Sequence, residues 1–210
     1  MRFFKEGKSK SPVIPVAIGM IIVIALVISV SGTRTDSQLY TEGTWTGNAF
    51  TSDFLGLQFT LPEGWTAASQ EELDALMQQA MDQSREDDPE TAQGYENGKV
   101  KNAYELKATQ ENGDGMVVIM VQKMKISAEN YLNKLVEQYG DMVSNSNLPN
   151  WTLGGKDYKG LKLEIDGKIQ YVYAYYEDGY FTTIQMSGTS DLDVMALRDE
   201  QFTDYPASEG

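Results

Sequence analysis

Apolar and polar positions change period several times along this chain. From Ser11 to Thr33 the 23 residues carry no charge, and Val13–Val30 holds only Val, Ile, Ala, Met and Leu apart from Pro15, Gly19 and Ser29. A helix over that run rises about 27 Å, close to the hydrocarbon thickness of a bilayer. Pro15 falls in its first turn, where a missing N–H costs little. Arg2, Lys5, Lys8 and Lys10 precede the run against one acid, Glu6, so the positive-inside rule puts residues 1–10 in the cytoplasm and the C-terminal part outside. The organisation read from this is a basic tail (1–10), a transmembrane anchor (11–33), a juxtamembrane linker rich in Thr, Ser and Gly (34–47), an extracytoplasmic domain (48–205) and a flexible C-terminus (206–210). A cleaved signal peptide competes with the anchor, because Val30-Ser31-Gly32 offers small residues for cleavage. The apolar run exceeds the usual signal core of about 7–15 residues, which favours the anchor. Cleavage after residue 32 would make the chain a secreted one.

Beyond the linker, strand and helix periods alternate. Leu57, Phe59 and Leu61 alternate with Gln58 and Thr60, the signature of a half-buried strand, which Pro62-Glu63-Gly64 stops. Ser69 with Glu72 forms a capping box, and Leu73, Leu76, Met77, Ala80 and Met81 follow at helical spacing, predicting a helix over 70–85. Lys101–Gln110 and Met116–Met124 read as strands joined through Glu111–Gly115, and the second is apolar on both faces from Met116 to Val121. Ser127 caps a second helix running to Val143, with Tyr131, Leu132, Leu135, Tyr139 and Met142 as its buried stripe. Strands at Trp151–Leu153, Tyr158–Ile165, Lys168–Tyr176 and Tyr180–Met186 come next, turned by Asp166-Gly167 and Glu177-Asp178-Gly179. A last helix begins near Ser190-Asp191, with Leu192, Met195 and Phe202 expected inward. Hairpins outnumber crossovers, so the expected fold is α+β: an antiparallel sheet with helices packed on both faces, preceded by one N-terminal transmembrane helix.

Composition narrows the chemistry. The 210 residues include 17 Lys or Arg, 31 Asp or Glu, and neither His nor Cys. That removes disulfides, thiolate and imidazole metal sites, and Ser–His or Cys–His catalysis. Without residues 1–32, 13 basic and 30 acidic residues remain, a net charge of −17. Such a surface disfavours nucleic acid and anionic lipid; a solvated acidic surface is the preferred reading over one that attracts cationic peptides or divalent ions.

The segment Phe50-x3-Phe54-x-Gly56-Leu57-x-Phe59-x-Leu61-Pro62-x-Gly64-Trp65 resembles the opening of PsbP-like domains, where an aromatic–Gly–apolar strand runs into a Pro-x-Gly-Trp corner. The strand Tyr180–Ser187 leading into a terminal helix is similar to that family as well. The layout match spans 45–205, and the whole chain is similar to membrane-anchored or exported Gram-positive bacterial proteins of unassigned function that carry this domain. The resemblance implies an α/β/α sandwich around an antiparallel sheet. It implies no shared chemistry, because members serve as extrinsic subunits or binding adaptors.

Candidate sites are weighed against structural roles. Asp87, Asp88 and Glu90 form the densest acid cluster but lack the alternating pattern of a calcium loop, so a solvated helix end is preferred. Glu111–Gly115 reads as a hairpin turn rather than a calcium loop. Asp191 and Asp193 are the acids expected in a helix's first turn. Tyr171, Tyr173 and Tyr175 share one strand face, with Tyr176 on the other and Tyr180 and Phe181 in the next strand. Exposed, they would stack on sugars or peptide; packing beneath helices is the preferred reading. Trp65 and Trp151 read as corner anchors, Trp45 as the aromatic least explained by a core, and Asn150-Trp151-Thr152 as an accidental sequon. No nucleophile elbow, phosphate loop or dinucleotide fingerprint is present. No catalytic, metal or cofactor residue is therefore assigned. The expected function is a membrane-tethered, non-enzymatic domain that binds a protein or envelope component. A carboxylate-dependent envelope hydrolase and the ectodomain of a sensory complex are the alternatives.

Overall fold

The computed structural model describes residues 40–87, 102–123, 125–140, 144–165 and 167–206. The basic tail, the apolar run and the linker as far as 39 lie outside these residues. Among the described residues no helix is long and apolar enough to cross a membrane.

The described chain forms two antiparallel sheets and three helices. A small sheet has the order β1 (Thr44–Thr46), β2 (Ala49–Ser52), β3 (Leu57–Thr60), β11 (Phe202–Asp204). A larger one has the order β4 (Trp65–Ala67), β5 (Asn102–Gln110), β6 (Met116–Lys123), β10 (Tyr180–Gly188), β9 (Lys168–Glu177), β8 (Lys156–Ile165), β7 (Ser144–Leu153). The helices are α1 (Gln70–Asp87), α2 (Ala128–Tyr139) and α3 (Asp191–Gln201).

β6 and β10 sit at the centre of the large sheet, which is why β6 can be apolar on both sides: Met116 to Gln122 are all buried. One face, with Leu106, Ile119, Tyr171, Tyr173 and Ile184, packs against the small sheet and α3 through Phe50, Leu57, Phe59, Val194, Leu197 and Phe202. The other, with Met120, Leu161, Leu163, Val172 and Phe181, packs beneath Tyr131, Leu132 and Leu135 of α2. Each such side chain taken fully out of water contributes roughly 1.5–3 kcal/mol before entropy is charged. The expected α+β class and helices on both faces are present.

Five differences from the sequence reading have physical causes. The strand at 57–61 does not join the main sheet. Phe50, Leu57 and Phe59 all point to one side, and pairing with β11 (Phe202↔Phe59) makes a second sheet whose apolar side closes the core. The end of the stretch read as linker joins this sheet, with Trp45 paired to Phe50 and packed on Phe50 and Phe59 at 5.6 and 6.5 Å. Pro149 does not stop β7, because β7 is an edge strand and a bulge between Leu148 and Trp151 absorbs the missing donor. α2 ends at Tyr139 rather than Val143, since Gly140 (φ +50°) leaves the helix with its N–H bonded to the Val136 carbonyl. Met142 lies outside the described residues.

The fifth concerns α3, whose inward stripe is not Leu192 and Met195. These are 77% and 39% exposed, while Val194 and Leu197 are buried. Polar contacts set the phase. Asp191 accepts from Tyr171 Oη (2.8 Å) and Lys162 Nζ (2.6 Å), and Arg198 Nη1 donates to Tyr173 Oη (3.1 Å). Residues 191, 194 and 198 therefore face the sheet, spaced i, i+3, i+7. Phe202 is buried, as expected, but as the first residue of β11.

The caps read from sequence are formed. Glu72 Oε2 accepts from Ser69 N at 2.7 Å while Ser69 Oγ accepts from Glu72 N at 3.3 Å, and Ser127 Oγ accepts from Asn130 N at 3.2 Å. Where the β7–β8 turn meets the small sheet, Gly154 (φ +61°) lies so close that a Cβ would fall 2.4 Å from the Leu55 carbonyl oxygen. Asp204 Oδ1 accepts from its N–H at 2.6 Å. That contact locks the two sheets together.

Candidate functional site

Two places concentrate unusual chemistry: one midway along β5, covered by the incoming chain that packs at the Tyr180 end of the sheet, and one where the strands end away from Tyr180. The first is Glu105, 7% exposed and the one buried charged side chain among the described residues. It sits where β5 slips register against β6, between Tyr104 and Leu106. The bulge takes Glu105 out of the alternation and leaves it at the edge of the core that Tyr40 packs against. The incoming chain covers it: Tyr40 Oη donates to Glu105 Oε1, and Gly43 N donates to Oε2 at 2.8 Å. Tyr40 packs in turn on Phe54 (5.3 Å) and Tyr180 (5.9 Å), which touch each other at 5.2 Å. Gly43 has no alternative here, since a Cβ would fall 2.2 Å from the Phe50 ring. Burial raises the Glu105 pKa above the ordinary carboxylate value; the two hydrogen bonds oppose that shift and nearby Glu42 adds to it. The same burial, next to this carboxylate, pushes the Tyr40 phenol far up.

The second is a cleft of about 420 Å³ at the other end of the strands. Its walls come from the corner Pro62 and Trp65, the turn after β5 (Gln110, Asn112, Asp114), the end of β10 (Ser187, Gly188) and one side of α3 (Asp193, Ala196, Glu200, Gln201). The turn is held by Gln110 N to the Gly115 carbonyl (2.9 Å) and by Asp114 N to Asn112 Oδ1 (2.9 Å). Asp193 is engaged with Thr189 and Ser190 hydroxyls at 2.8 Å each, which hold its carboxyl below the usual range. The carboxylates of Asp114 and Glu200 have no partner among the described residues, and none of the described lining residues is basic. Lys168, the first residue of β9, donates to the Gly113 carbonyl of the turn at 3.2 Å.

The separation follows from strand direction. β10 runs from Tyr180, beside Tyr40, to Gly188, on the cleft wall. Its nine residues span about 26 Å.

The remaining candidates resolve into structural roles. Tyr171 and Tyr173 are buried under α3, as the core reading expects, whereas Tyr175, Tyr176 and Tyr180 are half-buried. Burial and the adjacent Asp191 push Tyr171 up to about 12. Trp151 packs on Tyr158, Tyr173 and Phe202 at 5.0–6.1 Å, an anchor between the sheets. Asp191 and Asp193 do not converge: one pairs with Lys162 and Tyr171, the other caps α3. Glu111–Gly115 is a hairpin turn. Asp87 is the last residue of α1, and Asp88 and Glu90 lie outside the described residues. Among the described residues no group of acids is placed to hold a metal ion.

Sequence reasoning missed Glu105 and the cleft. A faint signal exists for the first, because Tyr104-Glu105-Leu106 breaks the period-two pattern of β5. For the second, the Pro-x-Gly-Trp corner had been read as purely structural, yet Trp65 forms part of a wall. A further feature was not legible. Gln122, Thr183 and Gln185 are all buried on the α2 side of the central strands, where Gln122 Oε1, Thr183 Oγ1 and Gln185 Nε2 have no partner among the described residues, and Gln170 donates to Gln185 at 3.3 Å.

No family model matches the chain, and no curated protein matches it. Two solved structures are similar. One is the solution structure of cyanobacterial PsbP (CyanoP) from Synechocystis sp. PCC 6803, at 10% identity and a TM-score of 0.43, covering 83% of this chain and 99% of that one. The other is the crystal structure of LpqN, involved in cell envelope biogenesis of Mycobacterium tuberculosis, at 12% identity and a TM-score of 0.39, covering 71% of this chain and 83% of that one. The first bears the name of the family that the Phe50–Trp65 segment resembles. At these scores the likeness is one of layout, and nothing about this chain's function follows from it.

Proposed function

We propose that this chain is a membrane-tethered extracytoplasmic domain that works by binding a component of the cell envelope in the cleft beside Trp65, without making or breaking bonds. The observation that carries this reading is the opposition of the two ends. The apolar run at 11–33 leads within a few residues to Tyr40, which is clamped at one end of the sheet, while the cleft opens at the other. Residues 34–39 can span at most about 22 Å, so the Tyr40 end is held near the bilayer and the cleft faces outward. The acid with the raised pKa is sealed by Tyr40 and Gly43 rather than lining the cleft. That distribution favours binding over a carboxylate pair acting on a glycan.

The test is crosslinking and capture from intact cells with the full chain, the chain lacking residues 1–32, and Ala196→Trp, which fills the cleft from an exposed position. The full chain is expected to retain an envelope component that Ala196→Trp loses. Turnover of a glycan that disappears on replacing Asp114 or Glu200, with no component retained, would instead establish the hydrolase.

A further inference from the structure

The binding reading leaves the ligand open, and the cleft walls restrict it. They combine an indole, two carboxylates without partners among the described residues, three amide side chains (Gln110, Asn112, Gln201), and no basic residue among the described lining. An anionic ligand would meet Asp114, Asp193 and Glu200 with nothing to offset them. A neutral one would leave Asp114 and Glu200 unused. An ammonium group satisfies both carboxylates and lies well over an indole, whose ring attracts cations within about 6 Å of its centroid. The rim adds a second requirement. On α3, Leu192, 77% exposed, precedes the cleft-facing Asp193 and stands one turn before Ala196, at i and i+4. An apolar group beside the cation would cover it. The volume, about 420 Å³, lies in the range of small-ligand sites and admits a segment of a residue or two rather than a whole domain.

We infer that the cleft takes a short basic segment of a partner protein, seating a lysine ammonium between Asp114, Glu200 and the Trp65 indole, with an adjoining apolar residue against Leu192. This inference rests on the proposed function and deepens it. The net charge of −17 beyond residue 32 supplies long-range attraction for such a segment, so association weakens as salt rises.

The test titrates the full-length chain in neutral detergent micelles, by calorimetry, with acetyl-Leu-Lys-methylamide, its Nε-acetylated form and spermidine. The lysine peptide is expected to bind, with affinity falling as salt is added. Acetylating its amine, or combining Asp114→Asn with Glu200→Gln, is expected to weaken it at least tenfold. Glu200 is exposed and Asp114 half-buried, and neither carboxylate has a partner among the described residues, so the double variant keeps its thermal midpoint. Failure of the peptide to bind, equal binding of the acetylated peptide, or unchanged binding by the double variant overturns the inference. Spermidine matching the peptide overturns the peptide assignment. The outcomes separate from those of the capture experiment. If Ala196→Trp abolishes retention of the envelope component while the double variant retains it, the binding function stands and the ammonium assignment falls.

Discussion

The middle of the large sheet, under the incoming chain, and its cleft end each present carboxylates, and the contrast between them shows how environment assigns a side chain its work. Glu105 is buried, accepts two hydrogen bonds from residues more than sixty positions earlier, and holds the incoming chain against the domain. Asp114 and Glu200 stand at the open end with no partner among the described residues. An acid that already has its donors stabilises a fold. Acids left in a concave, aromatic-walled space without cations can meet something else. The place where the incoming chain packs is thus closed, and the cleft is the place that we propose is occupied.

This contrast can be broken in order of expected effect. Leu197→Ala opens a cavity between α3 and the sheet and should cost about 3 kcal/mol, whereas Leu192→Ala, four to five residues away on the exposed side, should stay within about 0.5 kcal/mol. Chemical denaturation of both variants checks this; equal losses would mean that α3 is rotated from the phase described. Glu105→Ala leaves the Tyr40 hydroxyl and the Gly43 N–H without their acceptor and should cost about 2 kcal/mol, with protease cleavage appearing first near residues 40–43. The matching double change at the outer end, Asp114→Asn with Glu200→Gln, should move stability by less than about 0.5 kcal/mol.

Acidity provides a finer test. The folded-state pKa of Glu105 lies above its unfolded value, so the fold binds this proton more tightly than the unfolded chain does. The contribution of Glu105 relative to Glu105→Gln is therefore most favourable below the unfolded carboxylate pKa. It declines as pH rises from that value to the raised one. Asp191 behaves oppositely. Its pKa is lowered by Lys162 and Tyr171, so its contribution is present above the ordinary value and fades as pH falls through the lowered one. Because Asp191 is partly solvent-exposed, that contribution should stay below about 1 kcal/mol. Thermal midpoints of the wild type, Glu105→Gln and Asp191→Asn across acidic and neutral pH should show the two slopes with opposite signs.

The parts of the fold legible in sequence were those decided locally. The Ser69–Glu72 box, the Ser127 cap and the turns at 111–115 and 178–179 involve partners within a few residues, and β6 announced its central place by being apolar on both faces. What escaped was decided at long range. β3 and β11 are about 140 residues apart, and nothing near Phe59 or Phe202 names the other. The phase of α3 is set by Tyr171, Tyr173 and Lys162 of the sheet, so its own apolar spacing misled. The cleft draws on four separate stretches, each ordinary by itself: a corner, a turn, a strand end and a helix side. Glu105 went unnoticed because a bulge, unlike a turn, leaves no glycine or proline to mark it.

The central claim is that the chain enters at one end and offers its cleft at the other. The absence of cysteine makes it directly measurable, since any introduced thiol is unique. Lys123→Cys marks the tethered end, paired across from Tyr180, and Glu111→Cys marks the turn on the cleft side. Each full-length variant, reconstituted in lipid nanodiscs and carrying a fluorophore, is quenched by spin-labelled headgroups. The account predicts strong quenching at position 123 and little at 111. Equal quenching at the two sites, or stronger quenching at 111, would contradict it.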